Sequence, residues 1–100
     1  MSQRSIETKL VQLGNLSDAK TGAINPPIYM STAYQHTGIG ESTGYDYTRT
    51  KNPTRTILEH GIADLEGGDQ GFACSSGMAA AQLVMSLLKP NDESIVPADL

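Results

Sequence analysis

The sequence predicts an α/β fold, incomplete in this chain: an extended N-terminal arm followed by the first strand-helix-strand unit of a parallel sheet. Three observations carry that prediction. Residues 52–68 hold an amphipathic helical pattern with start and stop signals, residues 70–97 run strand, helix, turn, strand, and residues 15–51 sustain no period at all. The chain therefore divides into an arm, residues 1–51, and the start of an α/β domain, residues 52–100.

Near the N-terminus, Ile6, Leu10 and Leu13 recur at i, i+4 and i+7, Ser5 suits an N-cap and Gly14 a left-handed C′ position, which predicts a helix over 5–13. Under three turns long, it is stable only when packed on something. Beyond it, Gly22, Pro26, Pro27, Gly38, Gly40 and Gly44 punctuate an extended stretch. A segment of that length without regular structure points to a functional role. All four tyrosines, Tyr29, Tyr34, Tyr45 and Tyr47, lie in it, with Phe72 the only other aromatic. Tyrosine suits interfaces and binding clefts; the other reading is that these rings cover a small local core.

Asn52-Pro53 reads as N-cap and N1 of a helix of about 13 residues carrying Leu58, Ile62 and Leu65, and Gly67-Gly68 stops it. A mostly apolar strand follows at 70–75, a helix at 77–88, a turn at Pro90-Asn91-Asp92 and a second strand at 94–97. The 77–88 helix is apolar almost all round, so it is expected to be buried on more than one side, and nothing else in these residues can cover it. Two parallel strands are not a stable sheet. The chain is thus expected to be the N-terminal part of a longer one; the alternative is a small complete α/β protein.

Charged residues make up 18% of the 100, below the roughly 25% of a typical soluble domain. A net charge of −4 with seven scattered Lys and Arg argues against nucleic acid as a partner. No stretch approaches the roughly 18 apolar residues of a membrane span, and the first seven residues lack the apolar region of a signal peptide, which predicts a cytoplasmic protein. The lone Cys74 makes neither an internal disulfide nor a zinc site, and the sequon Asn15-Leu16-Ser17 is then a chance match.

Two places could bind a phosphate. At Ser75-Ser76-Gly77-Met78, small residues precede a helix N-terminus, where free N–H groups and the positive dipole end attract anions; Gly77 permits close approach and Ser75 or Ser76 could add a hydroxyl. Packing or capping explains the same small residues. Tyr47 and Arg49, two apart in an extended segment, would face one side and could hold one phosphate between them, or form a solvated basic turn before the helix. Gly38-x-Gly40-x-x-x-Gly44 has the wrong spacing and context for a dinucleotide fingerprint and is assigned to turns. His36 and His60 read as surface or packing residues, and Cys74, mid-strand, as a small buried hydrophobe.

Four blocks in order, Pro27-Ile28-Tyr29-x-Ser31-Thr32-x-Tyr34, Tyr47-x-Arg49 with Asn52-Pro53-Thr54-Arg55, Leu65-Glu66-Gly67-Gly68, and Ser75-Ser76-Gly77-Met78-Ala79-Ala80, resemble the N-terminal part of the pyridoxal-phosphate enzymes of cysteine and methionine metabolism. The resemblance covers nearly the whole chain. Within the family, residues 38–55 look most like the bacterial γ-synthases and O-acetylhomoserine (thiol)-lyases.

The resemblance implies a domain of the aspartate-aminotransferase type (pyridoxal-phosphate fold type I), assembled as a homotetramer of two active dimers. It implies that the backbone N–H groups of Gly77 and Met78 bind the phosphate of pyridoxal 5′-phosphate within their own subunit. It implies also that the side chains of Tyr47 and Arg49 reach the same phosphate from a neighbouring subunit. The implied reaction joins an O-acylhomoserine and cysteine into cystathionine, the cofactor acting as electron sink. The alternatives are a cystathionine γ-lyase, an O-acetylhomoserine sulfhydrylase or a methionine γ-lyase of the same family, or, outside enzymes, a non-catalytic interaction module. Some γ-synthases carry a second arginine where this chain has Thr50, then a glycine where it has Lys51, which leaves substrate preference open. The family's cofactor-bearing lysine, which forms the Schiff base, is expected to lie beyond Leu100. No catalytic residue is therefore assigned within residues 1–100, and the isolated chain is expected to be inactive.

Overall fold

The computed structural model describes residues 4–15 and 18–99. Three helices form in it: α1, Ile6–Val11; α2, Pro53–Glu66; and α3, Gly77–Met85. Residues 1–3 of the N-terminus, Leu16 and Ser17 of the sequon, and Leu100 lie outside the described residues. The expectation that the cofactor-bearing lysine follows Leu100 falls outside them as well.

The capping signals work as the sequence implies. Ser5 accepts from Thr8 N at the start of α1, Asn52 from Thr54 N at the start of α2, and Ser76 from Ala79 N at the start of α3, each satisfying a donor that the first helical turn leaves open. Pro53 occupies the first turn of α2, where its missing N–H matters least. Gly67 ends α2 in the left-handed conformation at φ 68°.

Packing departs from the expected pattern. In α1, Ile6 and Leu10 stay exposed; the helix meets α2 through an ion pair of Lys9 Nζ with Asp64 Oδ1 at 3.2 Å, and Leu13, in the turn after it, packs at Gly61. Gly61 makes room for Leu13, since a β-carbon there would lie 2.8 Å from Leu13 Cγ. The most buried apolar residue described is Ala63, and the Leu58 and Ile62 stripe of α2 remains about half exposed.

Neither predicted strand forms. Residues 70–75 and 94–97 run without a pairing partner, and among the described residues only two isolated antiparallel bridges occur, Ala33 with Tyr47 and Gly38 with Glu41. A strand exists only through the ladder to its neighbour, and no second strand lies beside either segment. Cys74 is consequently exposed rather than buried. The last helix also stops at Met85 instead of 88, because Leu87 and Leu88 donate to Val84 and Met85 in tighter three-residue turns. The Pro90-Asn91-Asp92 turn does form, with Asn91 at φ 78° and Lys89 N donating to Asp92 Oδ2.

Met78, Val84 and Leu87 of α3 and its exit are largely exposed, and the radius of gyration is 17.7 Å, against about 13 Å for a compact domain of this length. No described helix is long and apolar enough to cross a membrane.

Candidate functional site

The Tyr47 and Arg49 side chains meet. Arg49 Nη2 donates to the Tyr47 hydroxyl at 3.1 Å, and the guanidinium carbon lies 5.4 Å from the Tyr47 ring centroid. The backbone that brings them together is a turn, not the extended segment the spacing suggested. Tyr47 is held in its bridge to Ala33, after which the N–H groups of Thr50 and Lys51 both fold back onto the Tyr47 carbonyl at 3.0 Å. An extended pair would have projected in parallel; the turn converges them.

Asn52 anchors this turn. Its Nδ2 lies 2.6 Å from Thr48 Oγ1 and 3.1 Å from the Tyr29 carbonyl, with the Tyr34 hydroxyl at 3.4 Å, while its Oδ1 caps α2. Thr54 Oγ1 accepts from Tyr29 N at 2.9 Å. Two side chains at the start of α2 thus hold both polar groups of the Tyr29 backbone. Further along, Tyr34 N donates to the Asp46 carbonyl and Thr48 N to the Thr32 carbonyl, flanking the Ala33 bridge. The Tyr34 and Tyr45 rings stand 5.8 Å apart, and Lys51 Nζ lies 5.3 Å from the Tyr45 centroid.

The loop before the turn closes on Asp46. Ser42 Oγ and His36 Nε2 both meet Asp46 Oδ1, at 2.5 and 2.8 Å, and the Ser42 bond above all holds the Asp46 carboxyl below the usual carboxylate range. The glycines of this loop serve turns, as assigned: Gly38 pairs with Glu41, and Gly40 and Gly44 take positive φ. His36 and His60 are both exposed.

At the second place, α3 begins at Gly77 with Ser76 as its cap. Ser76 Oγ takes the Ala79 N–H and Ser76 O the Ala80 N–H, so the N–H groups of Gly77 and Met78 have no acceptor among the described residues. A β-carbon at Gly77 would meet nothing within 4 Å. Two free donors in open space at a positive helix end, and elsewhere an exposed phenol and guanidinium, are a donor set suited to a doubly charged phosphate. A cavity of about 450 Å³ runs from Arg49, Lys51 and Arg55 to Ala73 and Cys74, just before the start of α3.

Sequence reasoning missed the residues behind the turn. Asn52 was visible only as a cap, and the opposite charges of Arg55 and Glu59, one helical turn apart, were the available signal for the pair that braces it.

The family model for Cys/Met metabolism PLP-dependent enzymes matches residues 7–100, and the chain belongs to that family, whose cofactor is pyridoxal phosphate. It is 63% identical over 98 residues to the cystathionine γ-synthase of Haemophilus influenzae, covering 98% of this chain and 27% of that protein. It is 62% identical over 100 residues to the cystathionine γ-synthase/O-acetylhomoserine (thiol)-lyase of Bacillus subtilis, covering 100% and 26%. Cystathionine β- and γ-lyases also match, at 42% to 47% identity. The crystal structure of cystathionine γ-synthase from Xanthomonas oryzae pv. oryzae in complex with aminoacrylate and cysteine superimposes with a TM-score of 0.84 at 40% identity, over 91% of this chain and 24% of that one. The chain spans about a quarter of the length of these relatives.

Proposed function

We propose that the whole protein is a pyridoxal-phosphate-dependent transferase that joins an O-acylhomoserine and cysteine to give cystathionine. The observation that carries this is the identity of 62% to 63%, along nearly all of the chain, with the cystathionine γ-synthase of Haemophilus influenzae and the cystathionine γ-synthase/O-acetylhomoserine (thiol)-lyase of Bacillus subtilis. When bound, the cofactor supplies an electron sink for carbanions next to the amino-acid nitrogen. This chain's residues hold it. Gly77 and Met78 donate their free N–H groups to the phosphate within one subunit, and Tyr47 and Arg49 bring a hydroxyl and a guanidinium to the phosphate of the neighbouring subunit.

In this reading, residues 1–51 are the arm that reaches the neighbour and residues 52–100 begin a fold-type-I cofactor domain, within a cytoplasmic homotetramer of two active dimers. The remainder of that domain, following Leu100, carries the Schiff-base lysine. It also covers the exposed apolar side of α3 and supplies the strands that pair with 70–75 and 94–97. The full-length enzyme should form cystathionine from an O-acylhomoserine and cysteine. Release of ammonia and a keto acid from cystathionine, with no condensation, would move it to the lyases.

One observation favours a second reading as a lyase or sulfhydrylase. Thr50, at the place where some γ-synthases carry a second arginine, spends its hydroxyl on the Tyr47 carbonyl at 2.8 Å and presents no charge to a substrate.

A further inference from the structure

Arg55 and Glu59 stand one turn apart on α2, between the Tyr47–Arg49 turn and the segment leading into α3. Arg55 Nη1 donates to the Arg49 carbonyl at 3.3 Å and Nη2 to the Thr50 carbonyl at 2.5 Å. Its Nε is buried and lies 3.6 Å from Glu59 Oε1. That same carboxylate oxygen accepts the Ala73 N–H at 3.0 Å, four residues before Gly77. Below this bond the Gly71 backbone runs directly against the Glu59 backbone, where a β-carbon would lie 3.2 Å from the Glu59 carbonyl carbon.

A planar guanidinium holds two successive carbonyls from two nitrogens in a fixed fork, whereas an ammonium's three donors rotate about one point and fix no such orientation. The turn that carries Arg49, anchored by Asn52 at Thr48, is held at its next two carbonyls by Arg55. Glu59 neutralises that side chain and uses the same oxygen to fix the chain entering α3. The pair is only partly exposed, at 33% and 21%, so its hydrogen bonds are partly shielded from water.

We propose that Arg55 and Glu59 are a positioning pair that sets, from one helix, both of this chain's contributions to cofactor phosphate: Arg49 for the neighbouring site and the α3 N-terminus for its own. This rests on the phosphate reading given above. The pair acts through these backbone groups and makes the two donor clusters answer to one rigid element.

The test is carried out on the full-length enzyme, stripped of cofactor and titrated in parallel with pyridoxal phosphate and with pyridoxal, which lacks the phosphate. Arg55→Lys keeps the charge beside Glu59 but loses the fixed two-nitrogen fork on the Arg49 and Thr50 carbonyls. Its affinity for pyridoxal phosphate should fall about tenfold, the loss expected for hydrogen bonds to a charged group, with pyridoxal binding unchanged. Equal weakening for both ligands, or for neither, overturns the positioning role. Should Arg55→Lys not fold, Glu59→Gln, which retains an acceptor for Ala73 N–H, should show the same selective loss, and an unselective or absent effect overturns the proposal. Arg49→Ala in the same titrations separates the two levels. Unchanged pyridoxal phosphate affinity there sinks the phosphate reading itself, whereas a loss at Arg49 without one at Arg55 sinks only the pair.

Discussion

Asn52 Nδ2 donates to the Tyr29 carbonyl at 3.1 Å while Asn52 Oδ1 accepts from Thr54 N at 2.8 Å, so one amide both caps α2 and ties the arm to it. The two tasks use opposite ends of the side chain and can be separated. Asn52→Asp retains a good cap oxygen but has no N–H to give. It should leave α2 intact and destabilise the contact with residues 29–34 by about 1–3 kcal/mol, because the Tyr29 carbonyl then faces a carboxylate. Hydrogen exchange on the full-length enzyme reads this directly. Faster exchange at Tyr29 and Tyr34, with α2 still protected, is expected; uniform change along both segments would show that the amide does not divide its work this way.

Gly61 and Leu13 make a second coupled pair. All three branched atoms of Leu13 lie 2.8 to 3.0 Å from the β-carbon position at Gly61, too close for contact without a shift. Gly61→Ala gains up to about 1 kcal/mol in helix propensity but forces Leu13 off its seat, at about 1–3 kcal/mol. Net destabilisation is expected. Combining it with Leu13→Ala should remove the clash and recover the propensity gain, so the double variant should be more stable than the sum of the singles implies. Additive melting data would exclude the contact.

The loop closed by Asp46 should respond to acid. Its carboxyl is held below the ordinary value of 3.8 by the Ser42 hydroxyl first, opposed by partial desolvation and assisted by His36. A carboxylate whose pKa is lowered on folding contributes stability that is fully present above the unfolded value and is lost as pH falls through the lowered one. The loop should therefore be unaffected from neutrality down to the ordinary carboxylate range and loosen only below it. Ser42→Ala removes the leading cause, so an NMR titration of the Asp46 carboxyl should move up toward 3.8. A midpoint that stays put would contradict the hydroxyl's role.

What the sequence disclosed and what it hid follow from the range of the forces involved. Ser5, Asn52 and Gly67 act on backbone groups within four residues, so their roles at helix ends could be read from spacing alone, whereas Ser76, read as one of two hydroxyls for a phosphate, spends its oxygen capping α3. The strands at 70–75 and 94–97 depend on neighbours that no local pattern contains, and neither forms among the described residues. The meeting of Tyr47 and Arg49 was anticipated from an i, i+2 argument, yet the structure achieves it through a turn closed on the Tyr47 carbonyl. Asn52 and Arg55 were legible as a cap and a charge, but their tertiary partners, Tyr29, Arg49 and Thr50, depend on how the arm returns to α2.

Arg49 carries the largest expected functional loss. Its guanidinium already has the Tyr47 hydroxyl as partner, and the two would share a phosphate oxygen set rather than compete for it. Arg49→Ala in the full-length enzyme should weaken cofactor retention by about 1.5–3 kcal/mol. Mixing Arg49→Ala subunits with subunits lacking the cofactor-bearing lysine should restore part of the activity, since one hybrid site then receives both intact contributions. Mixtures no more active than either parent would mean that the sites are not shared across the interface.

Gly77 offers a test in which stability and binding move apart. The site is open, with nothing within 4 Å of an added β-carbon, and its φ lies outside the left-handed region, so alanine fits without strain. As the first residue of α3 it should gain slightly in helix propensity, by up to about 1 kcal/mol. A methyl group beside the free N–H groups of Gly77 and Met78 would, however, stand where a phosphate oxygen must come close. Gly77→Ala should thus hold or raise the melting temperature of the cofactor-free enzyme while weakening pyridoxal phosphate binding and sparing pyridoxal. A variant that binds both as tightly as before would place the phosphate away from the start of α3.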